Sequence, residues 1–563
     1  MGVAVFTSLR GYRRSWLRGD LVAGLTVWAV LIPESLAYAT IAGVPPVVGL
    51  YAAVPALVLY AAVGSSRHLV VGPMSGTAAL SASIVATVAT SADQAVSATA
   101  ALALVVGVLA VVAGLLRFGF LSAFISEPVL KGFIIGLALT IIVGQVPKLL
   151  GIDGGDGNFF EKTWHVLSHL GSTDGLTIVV GIGAMAMILV LRRWLPLVPG
   201  SLLVVLIGIA AVWAFDLDDH GLSIVGDIQP GLPDVAIPDP GGWSVYLDLV
   251  GPAVGLLLVG FAEGLGAAKT YATAQGYEID TNRELAGLGA ANIGSAFAAG
   301  MVVNGSLSKT AVNGSAGART QVSGLTTAAL TVVTLLALTG LFEQLPEAVL
   351  AAVVICAVID LVDIASVRAL YRVWSGPLGR IYKHAARSDF IAAIAALIGV
   401  LVFDTLPGLF IGIAVSLLTL LYRSSRPYVA TLVKDPQSSQ WVDQRRYPRL
   451  DPEPDVLVVR VEGGLFFANA DFVRTALRQH VSGSTRAVVL DGETTPFVDV
   501  TGSKALAELR DELRRDGVTL LLAKDIGQVR DVFETSGTVP DEQTLFSSVD
   551  DAIRSVRSSD DSG

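Results

Sequence analysis

Charge is sparse in this sequence. Of its 563 residues only 15% are charged, while 53% are hydrophobic and the mean hydropathy is +0.66. A soluble globular chain carries about a quarter charged residues, so a wholly soluble protein is excluded. Cysteine is nearly missing: Cys356 stands alone, which rules out an intrachain disulfide, and its neighbours in VVICAV mark it as a packing residue. Histidine is sparse too, with six scattered residues. The one helical pair, His165 and His169, falls in a polar loop without a third ligand nearby, so no metal site and no cofactor is expected. The stretch GLGAAK lacks the glycine spacing of a phosphate loop, and no Ser/His/Asp arrangement replaces it, so the chain is not expected to be an enzyme. The net charge of −10 selects no partner, because both signs are segregated by loop and by region, and no nucleic-acid partner is expected. The opening MGVAVFTSLRGYRRSWLRGD has four arginines and no short apolar core with a cleavage site, so no cleaved signal is expected.

What is present is a succession of apolar stretches near bilayer length, some interrupted by Gly or Pro. About fourteen spans are expected, at 20–39, 47–64, 70–90, 98–116, 126–146, 176–191, 198–215, 249–268, 285–302, 306–317, 322–341, 346–361, 388–403 and 407–422. Basic residues collect in every second connection: Arg10, Arg13, Arg14 and Arg18, then Arg67, Arg117, Arg192 with Arg193, Lys269 with Arg283, Arg319, and finally Arg368, Arg372, Arg380, Lys383 and Arg387. The alternate connections are nearly free of them, Lys148 and Lys162 being the main exceptions, and the segment from Asp216 to Asp248 has no Lys or Arg. Cytoplasmic loops gather Lys and Arg, so both termini are expected in the cytoplasm of a multi-pass protein of the plasma (inner) membrane.

One motif occurs twice. VVGPMSGTA begins the third expected span and VVNGSLSKTA the tenth, aligning Gly72 on Gly305, Ser75 on Ser308, Gly76 on Lys309 and Thr77 on Thr310. They are too far apart for a local repeat. The tenth span is the third of a second set of seven, and because seven is odd the two sets enter the membrane in opposite senses, as an inverted repeat. AVLIPESLAYA around Glu34 lies on LVGFAEGLGAA around Glu263 in the same way.

A helix that starts inside the membrane leaves its first N–H groups without intrahelical partners and carries a partial positive charge there, which suits an anion. Pro73 fits a first turn, and Gly72, Gly76 and Gly305 allow close approach to the backbone. Hydroxyls of Ser75, Thr77, Ser306, Ser308 and Thr310 add donors, and Lys309 a full charge. The plainer alternative is that small residues serve tight helix packing, as expected for Ala286, Ala290, Gly294 and Ala298 at four-residue spacing. Glu34 and Glu263 are costly at membrane depth unless neutral, paired or facing water; each is either a proton carrier or part of a hydrogen bond or ion pair with Lys309.

The stretches IPESLAYATIAGVPPVVGLYAAVPAL, GSSRHLVVGPMSGTAALSA and YEIDTNRELAGLGAANIGSAFAAGMVVNGSLSKTAVNGSAGARTQVSGL resemble the sulfate permease (SulP) family of anion transporters, and the tail resembles that family's STAS domain. The resemblance implies a polytopic α-helical membrane protein of fourteen spans in two inverted seven-span repeats, with core and gate domains, plus a cytoplasmic α/β STAS domain. It further implies a homodimer and an elevator-like movement of the core. Carried over by resemblance, the substrate contacts are Ser75, Gly76, Thr77, Leu307, Ser308 and Lys309, with Tyr38 beside them and Glu263 at an acidic ion-coupling position. Where the family commonly has Pro-Gln, this chain has Pro33 and Glu34, which favours proton coupling and makes Glu34 a second coupling candidate.

After the last span, PYVATLVKDPQSSQWVDQRRYPRLDPEPD reads as a linker over 425–452. The expected division is a transporter domain at 1–424, with repeats at 1–215 and 248–424, and a STAS domain at 453–563. In the latter, VLVVRVEG, RAVVLDG and VTLLLAK read as buried strands alternating with helices near 470–481, 503–515, 527–536 and 545–557. FVDVTGSKAL resembles the STAS signature that places Thr501 where soluble relatives are phosphorylated; alternatively Asp499 and Thr501 merely cap the helix. The expected function is secondary transport of sulfate or a similar small inorganic oxyanion with protons. Bicarbonate with sodium, a dicarboxylate, a passive channel and a membrane-tethered sensor acting through cytoplasmic regulators remain as alternatives.

Overall fold

The computed structural model describes residues 5–120, 126–155, 157–195, 199–226, 228, 230–375, 387–403, 405–524, 527–536 and 544–560. Arg380 and Lys383 of the expected basic connection lie outside them. Two compact units emerge, Met1–Ser416 and Leu417–Gly563.

Apart from two short strands, the described residues of the first unit form helices and their connections. Its helices are α1 (Leu17–Ile41), α2 (Val47–Val63), α3 (Ser75–Val85), α4 (Ala92–Leu115), α5 (Glu127–Leu150), α6 (Phe159–Ser168), α7 (Gly175–Trp194), α8 (Gly200–Phe215), α9 (Trp243–Gln275), α10 (Thr281–Phe297), α11 (Leu307–Ser315), α12 (Val322–Ala337), α13 (Glu347–Val358), α14 (Ile364–Ser375) and α15 (Arg387–Phe403). A further helix, α16 (Thr405–Ser425), continues across the boundary between the units. Without the amphipathic connectors α6 and α14, these helices fall on the expected spans. Six of them are long and apolar enough to cross a bilayer by length and composition.

Two departures from the expected spans have plain causes. α9, expected at 249–268, runs for 33 residues, because nothing breaks the helix until Gly276 adopts a left-handed φ of 68°. The third and tenth spans are not helical from their first residue. Each starts as a short buried strand, β1 (Val70–Gly72) and β2 (Asn304–Ser306), and only then becomes a helix, of 11 residues in α3 and 9 in α11. At 1.5 Å per residue each covers about half of the hydrocarbon core, so these are half-helices that begin at depth.

Small residues set the spacing of α10. A Cβ added at Gly107 of α4 would meet Gly289 O at 2.9 Å, and one at Gly114 would meet Ala286 N at 3.0 Å. Gly294 faces Pro55 and Leu59 of α2 in the same way. Close backbone contact of this kind is what membrane helices use in place of a hydrophobic driving force.

The second unit is an α/β sandwich. Its six-stranded sheet has the order β4-β3-β5-β6-β7-β8, from β3 (Tyr428–Lys434), β4 (Trp441–Asp443), β5 (Val456–Glu462), β6 (Ala487–Asp491), β7 (Thr519–Ala523) and β8 (Leu545–Phe546). β5 to β8 run parallel, with α17 (Ala470–His480), α18 (Val500–Arg515), α19 (Gly527–Ser536) and α20 (Val549–Asp560) as the intervening and closing helices. The segment 425–452, expected as a linker, is corrected here: β3 and β4 lie in it and join the sheet antiparallel. YVATLVK buries Ala430, Leu432 and Val433 and leaves the rest half-buried, a strand obscured in the sequence by the polar turn after it.

A candidate anion site between two broken helices

Breaking a helix inside a membrane exposes backbone polar groups that no lipid can satisfy. The chain solves this by letting the two breaks satisfy each other. β1 and β2 pair antiparallel, Val70 opposite Ser306, Val71 opposite Gly305 and Gly72 opposite Asn304. The pairing draws the starts of α3 and α11 together from distant parts of the sequence.

Buried polar side chains hold this arrangement. Glu284 of α10 accepts from Tyr60 Oη at 2.6 Å, from the backbone N–H groups of Ser65 and Ser66 at 2.8 Å each, and from Ser65 Oγ at 2.7 Å, fixing the chain that leads into β1. Asn292 accepts from Val303 N and donates to Val303 O, fixing the residue before β2. Gln321 Nε2 donates to Ser66 O and Leu69 O, and Asn313 Nδ2 to His68 O. At the other end of α11, Asp20 of α1 accepts from the N–H groups of Arg319 and Thr320. None of these positioning residues was singled out in the sequence. Their signal was a polar residue inside an apolar stretch, as in AANIGSA, but the partners lie too far along the chain to be named from it.

A cavity of about 370 Å³ opens at the two helix starts, lined by Ser75, Gly76 and Thr77 from α3 and by Ser306, Leu307, Ser308 and Lys309 from the second break. Tyr38 of α1 and Glu263 of α9 line it as well, with Phe133, Ile134 and Leu137 of α5 forming an apolar wall. No side chain caps α3, so its first-turn N–H groups are left to whatever the cavity holds. α11 differs: Ser306 Oγ accepts from Lys309 N at 3.2 Å and sits 3.1 Å from Ser308 Oγ. Ser306 thus caps its helix.

Two expectations change. Pro73 is not in the first turn of α3 but ahead of it, and its carbonyl accepts from Lys309 Nζ at 3.1 Å. Thr310 turns away from the cavity, its hydroxyl accepting from Val70 N at 3.1 Å; it ties α11 to β1.

Lys309 is 1% exposed. Its ammonium lies 2.7 Å from Glu34 Oε2 and 5.0 Å from the centre of the Tyr38 ring. Of the two acids weighed as its partner, the structure selects Glu34. Glu263 is half-buried and close to Gly76, where an added Cβ would stand 3.9 Å from its Oε2. The arrangement can therefore present backbone N–H groups, hydroxyls and one cation to an oxyanion, with Glu263 on the cavity wall and Glu34 against Lys309.

The chain matches the model of the sulfate permease family over residues 17–376 and that of the STAS domain over 447–552. This chain belongs to the sulfate permease family. Among its curated relatives, a probable sulfate transporter of Mycobacterium tuberculosis is 34% identical over 97% of both chains, and high affinity sulfate transporter 1 of Stylosanthes hamata is 28% identical over 97% of this chain and 84% of that one. Among solved structures it is similar to SLC26A9, with a TM-score of 0.86 at 22% identity over 99% of this chain and 93% of that one. The transmembrane domain of a cyanobacterium bicarbonate transporter, BicA, gives a TM-score of 0.59 at 20% identity, over 72% of this chain and 98% of that one. As a sulfate permease family member this is a multi-pass membrane protein and a secondary anion transporter, not an enzyme, with the polytopic helical fold and C-terminal STAS domain that its sequence implies.

In the STAS unit, Asp499 caps α18: its Oδ1 accepts from Gly502 N at 2.7 Å and its Oδ2 from Phe467 N at 2.9 Å. Thr501 is exposed in the first turn of that helix, so the capping is done by Asp499.

Proposed function

We propose that this protein carries sulfate or a similar small inorganic oxyanion across the plasma membrane together with protons, by an elevator-like movement of its core in a homodimer with both termini in the cytoplasm. The observation that carries this reading is the pairing of β1 with β2, which puts two helix N-termini and the Lys309 ammonium around one cavity. Tyr38, Ser75, Gly76, Thr77, Leu307, Ser308 and Lys309 are the proposed contacts. A dianion there has Glu263 on the cavity wall and Glu34 against Lys309, and two carboxylates so near would oppose its binding. Protonation removes that opposition, so the same acids serve as coupling sites. The preference for sulfate draws on the names of the curated relatives, since helix ends and a lysine suit several oxyanions equally. In the STAS domain, an exposed Thr501 near a helix N-terminus remains a proposed phosphoacceptor through which cytoplasmic regulators act.

The test is uptake of labelled sulfate into proteoliposomes with and without an inward proton gradient, competed by bicarbonate and by fumarate. Accumulation that depends on the gradient and resists both competitors is expected. Indifference to sulfate, with uptake of one competitor, would overturn the substrate. Conductance far above carrier turnover would replace the carrier with a channel.

A further inference from the structure

The Lys309–Glu34 pair is more than a neutralised charge. Lys309 is the one cation lining the cavity among the described residues, and its ammonium already has a carboxylate at 2.7 Å. The contact is close but not aligned: Glu34 Oε2 is buried without an aligned hydrogen bond to the ammonium, and the Tyr38 hydroxyl is the other donor that reaches this carboxyl. Lys309 is anchored independently, through its bond to Pro73 O. An ion pair close in distance but not aligned gives way to an acceptor that reaches the ammonium along its N–H directions.

We infer that Glu34 is an internal competitor for the anion site, an anion of the protein's own that a substrate oxyanion displaces from Lys309, and that the displaced carboxylate takes up a proton. The inference rests on the oxyanion-transport reading above and adds the event by which a proton is tied to binding. In the exchange the Nζ contact to Glu34 Oε2 is lost, a contact from Nζ to a substrate oxygen forms, and one proton from water closes an O–H bond on Glu34. Each bound anion brings one proton by this route.

The titratable surroundings of Glu34 support the assignment. α1 packs against α2, α3, α8, α11, α12 and α13. α3, α8 and α12 carry no ionisable side chain along their length. α2 offers Tyr51 and Tyr60, the latter bonded to Glu284; α13 offers Cys356 and Glu347, the latter 3.4 Å from Lys148; and α11 offers only Lys309. Tyr38 lies one turn along α1 with its hydroxyl toward the Glu34 carboxyl, and Glu263 lines the cavity with Lys309 from α9. Among the described residues of these elements no second cation stands ready to hold Glu34 ionised once Lys309 turns to a substrate. An unpaired carboxylate so placed takes a proton instead.

The sign follows. The bound state holds one proton more than the unbound state, so binding strengthens as pH falls, by about tenfold per pH unit wherever Glu34 is protonated in the bound state and ionised in the unbound one. Titration calorimetry of the purified full chain with sulfate, repeated in buffers of different ionisation heat, counts the protons taken up per anion. Glu34→Gln should take up one fewer than the native protein and bind sulfate about tenfold more tightly at neutral pH. Lys309→Gln should also take up one fewer, because its Glu34 is already protonated, and the double variant no fewer than either single one. Glu34→Asp, which keeps the carboxyl, should restore the native count. Undiminished proton uptake in Glu34→Gln, lost only in Glu263→Gln, would overturn the inference and leave the coupling reading standing. No proton uptake by the native protein would overturn both, as would failure to bind both sulfate and fumarate.

Discussion

Replacing Lys309 with Ala is the sharpest perturbation of the site. The side chain is 1% exposed and makes three contacts, with Glu34, Pro73 O and the Tyr38 ring. Its removal has two separable effects. An oxyanion loses one charge-assisted bond, about 1.5 to 3 kcal/mol, which weakens binding by about 10- to 150-fold. Glu34 loses its cation, and breaking a buried pair from one side costs about 3 to 5 kcal/mol unless the survivor changes its charge. Protonation of Glu34 is the available escape, so the destabilisation should be greatest at high pH and shrink as pH falls. The combination of Lys309→Ala with Glu34→Gln removes both charges and should recover most of the thermal stability without recovering affinity. Equilibrium binding of labelled sulfate to purified protein at acid pH, beside unfolding midpoints at acid and alkaline pH, reads both effects. Sulfate affinity equal to that of the native protein would show that helix ends and hydroxyls suffice, and that Lys309 is not a substrate contact.

Replacing Glu263 with Gln should cut the sulfate accumulation that an inward proton gradient drives while sparing anion exchange; unchanged dependence on the gradient would remove it as a coupling site. Two glycines should part company in uptake and stability assays. A Cβ at Gly305 would meet Gly264 Cα at 2.9 Å and Leu69 Cδ1 at 3.0 Å, so Gly305→Ala should push β2 from α9 and destabilise the protein by about 1 to 3 kcal/mol. At Gly76 the nearest atom is Leu137 Cδ2 at 3.3 Å, the far end of a flexible side chain, with Glu263 Oε2 at 3.9 Å; Gly76→Ala should fold normally yet transport less, because its methyl occupies the cavity. In the STAS unit, burial and then the Asp443 carboxylate, which accepts the Tyr428 hydroxyl at 2.8 Å, push the Tyr428 phenol up to about 12. The neutral phenol is the folded-state form, so this contribution is complete below the ordinary tyrosine pKa and is lost as pH rises through about 12. Tyr428→Phe should lower the unfolding midpoint below that window, with the difference from the native protein closing across it; a constant difference would refute the coupling.

The spans were legible because the bilayer reduces the problem to length and hydropathy, and α1, α2, α7 and α8 fall within a few residues of their expected positions. The third and tenth spans were placed correctly and read as helices that start inside the membrane, but their opening residues were not read as strands. Their opening residues are strands only because each supplies the other's hydrogen bonds, and no local window contains both. In the site, Ser75, Gly76, Thr77, Ser308 and Lys309 were marked by repetition and by resemblance, and all line the cavity. Thr310 was marked by the same repetition and turns elsewhere, since a motif fixes residue types but not the face a half-helix turns toward the cavity.

The sequence by itself determined that this chain lives in a membrane, that its two halves enter in opposite senses, and that helices break at corresponding places in each. Those properties follow from composition, from the parity of seven spans and from backbone chemistry, all of which are additive along the chain. Which acid takes Lys309, and that Glu284, Asn292 and Asp20 clamp the breaks, was decided only by tertiary structure. Pairing a buried charge depends on distances of a few ångströms between residues from distant spans, and a sequence records order rather than distance.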